Sequence, residues 1–240
     1  METRINKYLS ECGALSRRAA EAAILAGRVR VGGQLAVIGQ KIDPAAHEVT
    51  LDGVRVRPQA GLVYIILNKP AGVVTTMADD RGRTCVADIV DIPGARVYPV
   101  GRLDMETEGL LILTNDGEAA RALMHPSTDI AKVYHLTVRG APTQEQMETL
   151  RAPITIDGKT TRGAHVAVMG AHDGHTRLRV TISEGRNRQI RRMCEAAGLI
   201  AVKLRRVSVG EVNLGTLRPG EWRHMNHTQV QWVRSLSGRK

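Results

Sequence analysis

The sequence predicts an α+β protein whose larger domain has a mixed, largely antiparallel sheet with flanking helices, preceded by a small N-terminal module. Short apolar or alternating segments typical of strands recur after residue 62. Only two helical patterns stand among them, so a sheet with a helix after every strand is not favoured. Two helical patterns and short alternating segments fill the first part instead. We therefore expect a module at 1–58, a linker at 59–62 and a larger domain at 63–240.

The N-terminal module is predicted to begin with two short helices. Apolar residues recur at helical spacing over 4–12, and Gly13 follows where that helix would end. Ser16 is a typical N-cap for a second helix that ends near Gly27. The alternating segments RVRVGG and EVTLDGVRV then indicate strands joined by glycine-containing turns. The module ends near Pro58.

The larger domain is predicted to consist mainly of strands. In order, these are LVYIIL, VYPVGRLD, GLLILT, VYHLTVRG, ITIDGKT, AHVAVMG and TRLRVTIS. Asp116 and Asn187 stand where they could cap the helices GEAARALM and RQIRRMCEAAG. Ile190 and Met193 belong to the apolar stripe that would turn the second of these helices toward the core.

The charge of the chain predicts a polyanionic partner. The formal net charge is +10, and residues 181–240 hold 12 Lys and Arg against 4 Asp and Glu. The chain has no Phe, four Tyr and two Trp, too few rings for a base-stacking platform. If the partner is RNA, we expect it to be held through backbone charge and shape.

Composition also excludes several classes of protein. No apolar run exceeds LVYIIL, far short of the roughly 20 residues of a membrane span, and the first residues lack the apolar segment of a signal peptide. We expect a cytoplasmic protein with no membrane partner. Three scattered cysteines fit neither a disulfide framework nor a zinc site of paired cysteines.

Three acids follow an arginine in the segment GRLDMETEGLLILTNDG. Asp104, Glu106 and Glu108 could be alternating charges on an exposed strand edge, which protect against aggregation. They could instead share one strand face and hold Mg²⁺ for a nuclease reaction. A third hypothesis is a single catalytic carboxylate. Only this one explains why Asp104 lies between two apolar residues and close to Arg102.

This segment resembles the central motif of the pseudouridine synthases, in particular of the branch that acts on ribosomal RNA and carries an S4 RNA-binding module in front. The first module, from TRINKYLSEC to AGRVRVGG, resembles the S4 module itself. Further blocks that match the branch in order are LNKPAGVVTT, MHPS, KVYHLTVRG, EGRNRQIRRM and LRPGEWR. The resemblance covers nearly the whole chain.

The resemblance implies three catalytic residues. Asp104 corresponds to the nucleophile, Tyr134 to the strand tyrosine beside the uracil, and Arg191 to the helix cation that keeps the nucleophile ionised. Arg102 corresponds to a residue that helps to displace the target base. Sister branches carry a histidine where this chain has Arg188, so we assign that side chain no shared catalytic role.

The expected RNA contacts outside the catalytic residues are all basic. On the bare pattern, the cations of the first module are as consistent with a solvated face as with an RNA contact. The residues expected to contact RNA are Arg102, Arg188, Arg192, Arg4, Lys7, Arg17 and Arg18.

The resemblance implies a pseudouridine synthase that needs no cofactor and no metal. We expect a monomer that acts on ribosomal RNA or a ribosomal precursor particle, with large-subunit RNA preferred. The alternatives are a synthase for small-subunit RNA, a non-catalytic RNA-binding or ribosome-assembly protein, and a metal-dependent nuclease.

Overall fold

The structure is a computed structural model that describes residues 2–59 and 61–238. The chain forms two compact units. The first runs to Val63 and also includes Ile92–Tyr98 and Thr114–Gly117, while the rest of the chain forms the second. Ala60, within the predicted linker, lies outside the described residues. The domain bounds predicted from the sequence stay a prediction.

The first unit contains two helices and six short strands. Its elements are β1 Thr3–Arg4, α1 Ile5–Glu11, α2 Arg17–Leu25, β2 Val29–Val31, β3 Gln34–Leu35, β4 Lys41–Ile42, β5 Val49–Leu51 and β6 Val54–Arg55. The order β3-β2-β5-β6 forms an antiparallel sheet, and β1 pairs with β4. Ser16 caps α2 as predicted, since its Oγ accepts a hydrogen bond from the amide of Ala19 at 3.1 Å.

Gln59 connects three segments of the first unit, although the sequence placed it in a linker. Its Nε2 donates to the carbonyl of Glu11 at 2.8 Å. Its Oε1 accepts from the amide of Arg96 at 2.8 Å and from Nδ2 of Asn115 at 3.2 Å. Because these partners lie far apart in the chain, local sequence patterns could not indicate this role.

The second unit contains the larger sheet and four helices. Its strands are β7 Tyr64–Lys69, β8 Tyr98–Val100, β9 Glu108–Thr114, β10 Lys132–Arg139, β11 Thr155–Ile156, β12 Lys159–Thr160, β13 His165–His172, β14 His175–Ile182, β15 Ala201–Val209, β16 Val212–Asn213 and β17 Trp222–His224. Its helices are α3 Gly117–Met124, α4 Gln144–Arg151, α5 Gln189–Ala196 and α6 His227–Ser235.

Nine of the described strands form one sheet in the order β13-β14-β10-β15-β9-β7-β17, with β8 beside β9 and β16 beside β15. β10 is antiparallel to both β14 and β15, whereas β15 and β9 run parallel. The predicted mixed, largely antiparallel sheet with flanking helices is confirmed. Leu136, Leu178 and Leu204 alternate onto the buried face of the central strands.

Gly109 allows the parallel strands β9 and β15 to approach each other. Its φ is +110°, and a Cβ atom at this position would lie 2.2 Å from the carbonyl oxygen of Arg206. No side chain fits there without moving the backbone of β15, so a glycine is required.

Several predicted elements are wrong in extent. The strand expected over VYPVGRLD ends at Val100, and a turn follows up to β9. Asp104 and Glu106 therefore lie in a turn, and only Glu108 lies in a strand. The strand expected over ITIDGKT is the hairpin of β11 and β12, with Asp157 in the left-handed region at φ +50°. The prediction of two helices in the larger domain missed α4 and α6.

Candidate active site

A cavity of about 490 Å³ opens in the second unit between the turn before β9, the central strands and the start of α5. Asp104, Tyr134, Arg102 and Arg188 all line it. The structure thus brings together four residues that the sequence singled out from three separate blocks. A cavity of this size could hold a nucleotide base with its ribose.

The backbone of the turn is held on both sides of Asp104. Thr75 Oγ1 donates to the carbonyl of Leu103 at 2.7 Å and accepts from its amide at 3.2 Å. The amide of Gly72 donates to the carbonyl of Met105 at 2.8 Å. Residues of LNKPAGVVTT thus hold the backbone on both sides of the residue that carries the carboxylate.

Lys69 is a site residue that the sequence pattern did not single out. Its side chain is fully buried at 0% exposure. Its ammonium group donates three hydrogen bonds of 2.7, 2.8 and 3.2 Å, to the carbonyls of Pro70, Val73 and Met105. Burial lowers the pKa of Lys69 to about 8, although the charges of Asp104 and Glu108 oppose this shift. The lysine therefore joins the turn to β7 and lies within the electrostatic field of the carboxylate.

The cavity wall is rich in cations. Lys132 and Arg206 line it together with Arg102, Arg186 and Arg188. The guanidinium of Arg206, a residue only 5% exposed, donates from Nε to the carbonyl of Leu110 at 2.8 Å. Burial lowers the pKa of Lys132, and the charge of Arg206 lowers it further. Such a wall favours an anionic ligand.

Tyr134 and Thr107 contribute hydroxyl groups to the cavity lining. Tyr134 lies on β10 opposite Arg206 of β15 and is 8% exposed. Thr107 is 2% exposed, and its Oγ1 has no hydrogen-bond partner among the described residues. An unsatisfied buried hydroxyl is costly unless a ligand completes its hydrogen bonding, so Thr107 is a candidate contact for substrate.

The start of α5 differs from the prediction. Asn187 was expected to cap this helix, but the N-cap position falls on Arg188, which makes no side-chain cap and has φ +50°. A left-handed arginine is uncommon, and such strain clusters at functional sites. Asn187 instead lines the cavity. The predicted core stripe is confirmed, since Ile190 and Met193 are buried.

Arg191 contacts the turn through Glu106. Its Nη2 donates to the carbonyl of Glu106 at 3.4 Å and lies 3.8 Å from the Glu106 carboxylate. Nη1 of Arg188 lies 3.5 Å from the same carboxylate. Nε of Arg191 is buried without a hydrogen-bond partner among the described residues. The pairing of Arg191 with Asp104 stays a prediction.

The other predicted RNA contacts lie outside the cavity. Arg192 pairs with Asp157 at 3.0 Å. In the first unit, Lys7 pairs with Glu11 at 3.4 Å. Exposed arginines complete the set, namely Arg4, Arg17 and Arg18. These arginines are accessible to a polyanion, and their role in RNA binding stays a prediction.

The three acids of the central motif do not converge. Asp104 faces the cavity, Glu106 contacts two arginines, and Glu108 pairs with Lys203 at 2.8 Å. Within residues 2–59 and 61–238, no three His, Cys, Asp or Glu side chains are grouped as metal ligands would be. The metal hypothesis needed all three acids on one strand face, and that expectation is therefore wrong.

Among the described helices, none is long and apolar enough to cross a bilayer.

Comparison with known proteins assigns this architecture to a family. Residues 63–196 match the family described as RNA pseudouridylate synthase. An uncharacterized RNA pseudouridine synthase of Mycobacterium tuberculosis is 45% identical over 231 residues, which cover 95% of this chain and 91% of the relative. The ribosomal large subunit pseudouridine synthase B of Bacillus subtilis is 38% identical over 237 residues, with coverage of 98% and 96%.

A solved structure agrees with this assignment. A crystal structure of a pseudouridylate synthase superposes with a TM-score of 0.68 at 27% identity, and the match covers 96% of this chain and 99% of the other. The family match includes Asp104, Tyr134 and Arg191, the three residues to which the sequence resemblance gave catalytic roles. The chain therefore belongs to the RNA pseudouridylate synthase family and is an isomerase.

Proposed function

We propose that the protein converts one uridine of large-subunit ribosomal RNA to pseudouridine, with Asp104 as the nucleophile. The choice of large-subunit RNA is supported by the relative from Bacillus subtilis, whose name states that substrate and whose alignment covers 98% of this chain. The choice of Asp104 rests on one observation. Among the three acids of the central motif, Asp104 is the one whose side chain lines the cavity, and the backbone on both sides of Asp104 is held in place.

The reaction rearranges the bonds of the nucleoside and leaves its atomic composition unchanged. The C1'–N1 bond of uridine breaks, the uracil rotates, and a C1'–C5 bond forms. The hydrogen on C5 leaves as a proton, and N1 gains one. The Asp104 carboxylate supplies the nucleophile for the detached sugar or base, and the cations of the cavity wall line the same space.

Tyr134 and Arg191 assist this step, Tyr134 at the nucleoside and Arg191 at the carboxylate. Tyr134 lies against the uracil in the cavity, where its hydroxyl can accept or deliver a proton at the ribose. Arg191 stabilises the ionised Asp104 from α5, in a position that its contacts with Glu106 bring close to the turn. Arg102 is exposed at the cavity rim, where it can fill the space that the flipped base leaves.

The target uridine must leave its base stack before it reaches the cavity, which costs a few kcal/mol. Phosphate contacts by exposed basic residues offset this cost. We infer that the first unit, which carries Arg4 at the end of β1 and Arg17 and Arg18 at the start of α2, serves as an S4-type RNA-binding module and that the protein acts as a monomer.

Mapping of pseudouridine in RNA tests the substrate directly. Unmodified large-subunit and small-subunit ribosomal RNA are incubated separately with the protein, treated with a carbodiimide that marks pseudouridine, and read by reverse transcription. We expect a new stop at one uridine of the large-subunit RNA and none in the small-subunit RNA.

A variant of the nucleophile provides the control. Asp104→Asn preserves the shape of the side chain and should leave both RNA species unmarked. Marking of small-subunit RNA alone would reassign the substrate within the same reaction. Tight binding to both RNA species without marking would favour the non-catalytic RNA-binding alternative.

A further inference from the structure

The sheet of the second unit has a second face, directed away from the cavity, that carries a concentrated positive charge. Lys132 and Tyr134 of β10 and Arg206 of β15 point toward the cavity. Because side chains alternate along a strand, the intervening residues of β10, β14 and β15 point the opposite way. We call this opposite side of the three strands the outer face.

Two rows of side chains cross the outer face from strand to strand. In the first row, His135 of β10 lies between Arg179 of β14 and Arg205 of β15. The second row contains Thr137 between Arg177 and Lys203. The four cations thus mark a rectangle of about 7 by 10 Å, from the rise per residue and the spacing between strands.

These cations are poorly neutralised within the protein. Lys203 pairs with Glu108 at 2.8 Å. Among the described residues, Arg177, Arg179 and Arg205 have no ion-pair partner, and Nε of Arg205 is buried without a hydrogen bond. Repulsion between like charges on neighbouring strands is destabilising, and at this spacing salt screens it only in part.

The environment of His135 reflects the same crowding of charge. Burial lowers its pKa, and the charges of Arg205, Arg179 and Arg177 lower it further. The lowered pKa favours the neutral form of this imidazole, which lies in the first row between Arg179 and Arg205. A bound anion on this face would relieve the repulsion that the strands now bear.

We propose that the outer face binds the phosphate backbone of an RNA helix, as a second contact surface separate from the cavity. Arginine and lysine are the residues that contact phosphates, and rows of cations suit a regularly charged backbone. The face carries no Tyr, Trp or Phe, so it cannot stack bases, and double-stranded RNA is recognised mostly by its shape and backbone. The proposal rests on the proposed function, because a second contact surface for an RNA helix is useful only if the substrate is a long, folded RNA.

The test is the affinity for an RNA duplex of about 16 base pairs, the span of a compact duplex-binding domain. Fluorescence anisotropy is measured between about 0.05 and 0.2 M salt for the wild type and for Arg177→Gln/Arg179→Gln. Both arginines are exposed, so the change is not expected to disturb folding. We expect roughly tenfold weaker binding and a salt slope that is lower by about one for each phosphate contact removed.

Two further variants serve as controls. Arg81→Gln/Arg234→Gln removes the same charge from two exposed positions outside the outer face and should bind the duplex like the wild type. Arg177→Lys/Arg179→Lys retains the charge and should keep most of the affinity. Circular dichroism checks that every variant folds.

Equal affinities of the outer-face variant and its charge-matched control, at every salt concentration, would overturn the proposal. Competition by polyglutamate as effective as that by the duplex would also overturn it, in favour of an acidic protein partner.

Tritium release from short RNA carrying [5-³H]uridine separates this proposal from the catalytic one. We expect the outer-face variant to keep full turnover on short RNA. Failure of the wild type to turn over any RNA, with duplex binding still dependent on the outer face, would refute only the proposed function.

Discussion

Lys69 illustrates what a single residue contributes to this site. Its ammonium group is fully buried and contacts three carbonyls, one of which belongs to Met105, next to Asp104. Burial of a charged group is costly, and here the three hydrogen bonds offset part of that cost, since the pKa of Lys69 still falls to about 8. The sequence places 34 residues between Lys69 and Asp104, so no local pattern could predict the contact.

Lys69→Met should reduce turnover while the protein stays folded. The variant keeps the buried volume but leaves the carbonyl of Met105 without its ammonium donor, so the turn that carries Asp104 loses one of its restraints. A displacement of about 1 Å can cost up to a hundredfold in rate, and we expect a loss of roughly ten- to a hundredfold. Rates of tritium release measure this loss of turnover.

The control is Lys159→Met, at an exposed lysine of β12, whose turnover should equal that of the wild type. Full activity of Lys69→Met would refute the positioning role.

The same lysine predicts a dependence of stability on pH. Its pKa is about 8 in the folded protein, against an ordinary value of 10.5. Below pH 8, both states bind the proton. Between about pH 8 and 10.5 the unfolded chain binds more protons, so this group makes the free energy of unfolding rise with pH, by up to about 1.4 kcal/mol per unit.

Urea denaturation at several pH values across that window isolates the contribution of Lys69. Lys69→Met lacks the titrating group, so its free energy of unfolding should rise less steeply with pH than that of the wild type. Parallel curves for the two proteins would mean that the ammonium group is not held in the buried, charged state described above.

At the scale of elements, the sequence predicted the strands with clear apolar patterns and missed those whose charges interrupt the pattern. β15 lies in the centre of the sheet, yet Lys203, Arg205 and Arg206 break its alternation. Arg206 is the informative case, because it is buried on the cavity side, where an apolar residue would be expected. Helix α4 was missed because its buried stripe consists of only Met147 and Leu150.

Gly109→Ala tests the packing of β9 against β15. The added methyl group would lie 2.2 Å from the carbonyl oxygen of Arg206 at a φ of +110°. The strain and the overlap should together lower the free energy of unfolding by about 3 kcal/mol or more. Chemical denaturation measures the loss. Gly185→Ala serves as control, since no heavy atom lies within 4 Å of its new Cβ. Equal stability of the two variants would contradict the close approach of the strands.

In the whole molecule, the segments GRLD, KVYHLTVRG and EGRNRQIRRM all supply residues of the cavity, but the sequence did not predict how they contact one another. Asp104 and Tyr134 line one cavity, as the resemblance implied. The contact between Glu106 and both Arg188 and Arg191 was not predicted, because the spacing of the acids suggested a shared strand face. The side-chain contacts across the turn depend on the tertiary fold.

The net charge of +10 predicts how binding to ribosomal RNA responds to salt. Cations in the cavity wall, on the outer face and on the helices of the first unit offer six or more phosphate contacts. Affinity should then fall about a thousandfold or more between roughly 0.05 and 0.2 M salt. Filter binding at a series of salt concentrations measures this dependence. An affinity that hardly changes with salt would contradict recognition through the RNA backbone.

We propose that Asp104 performs the isomerisation, and tritium release from ribosomal RNA carrying [5-³H]uridine tests this most directly. The wild type and Asp104→Asn are compared in the presence of EDTA, with Glu145→Gln as a matched variant of an exposed acid on α4. We predict release by the wild type and by Glu145→Gln, and none by Asp104→Asn. Release by Asp104→Asn at the rate of the wild type would contradict the role of Asp104 as nucleophile.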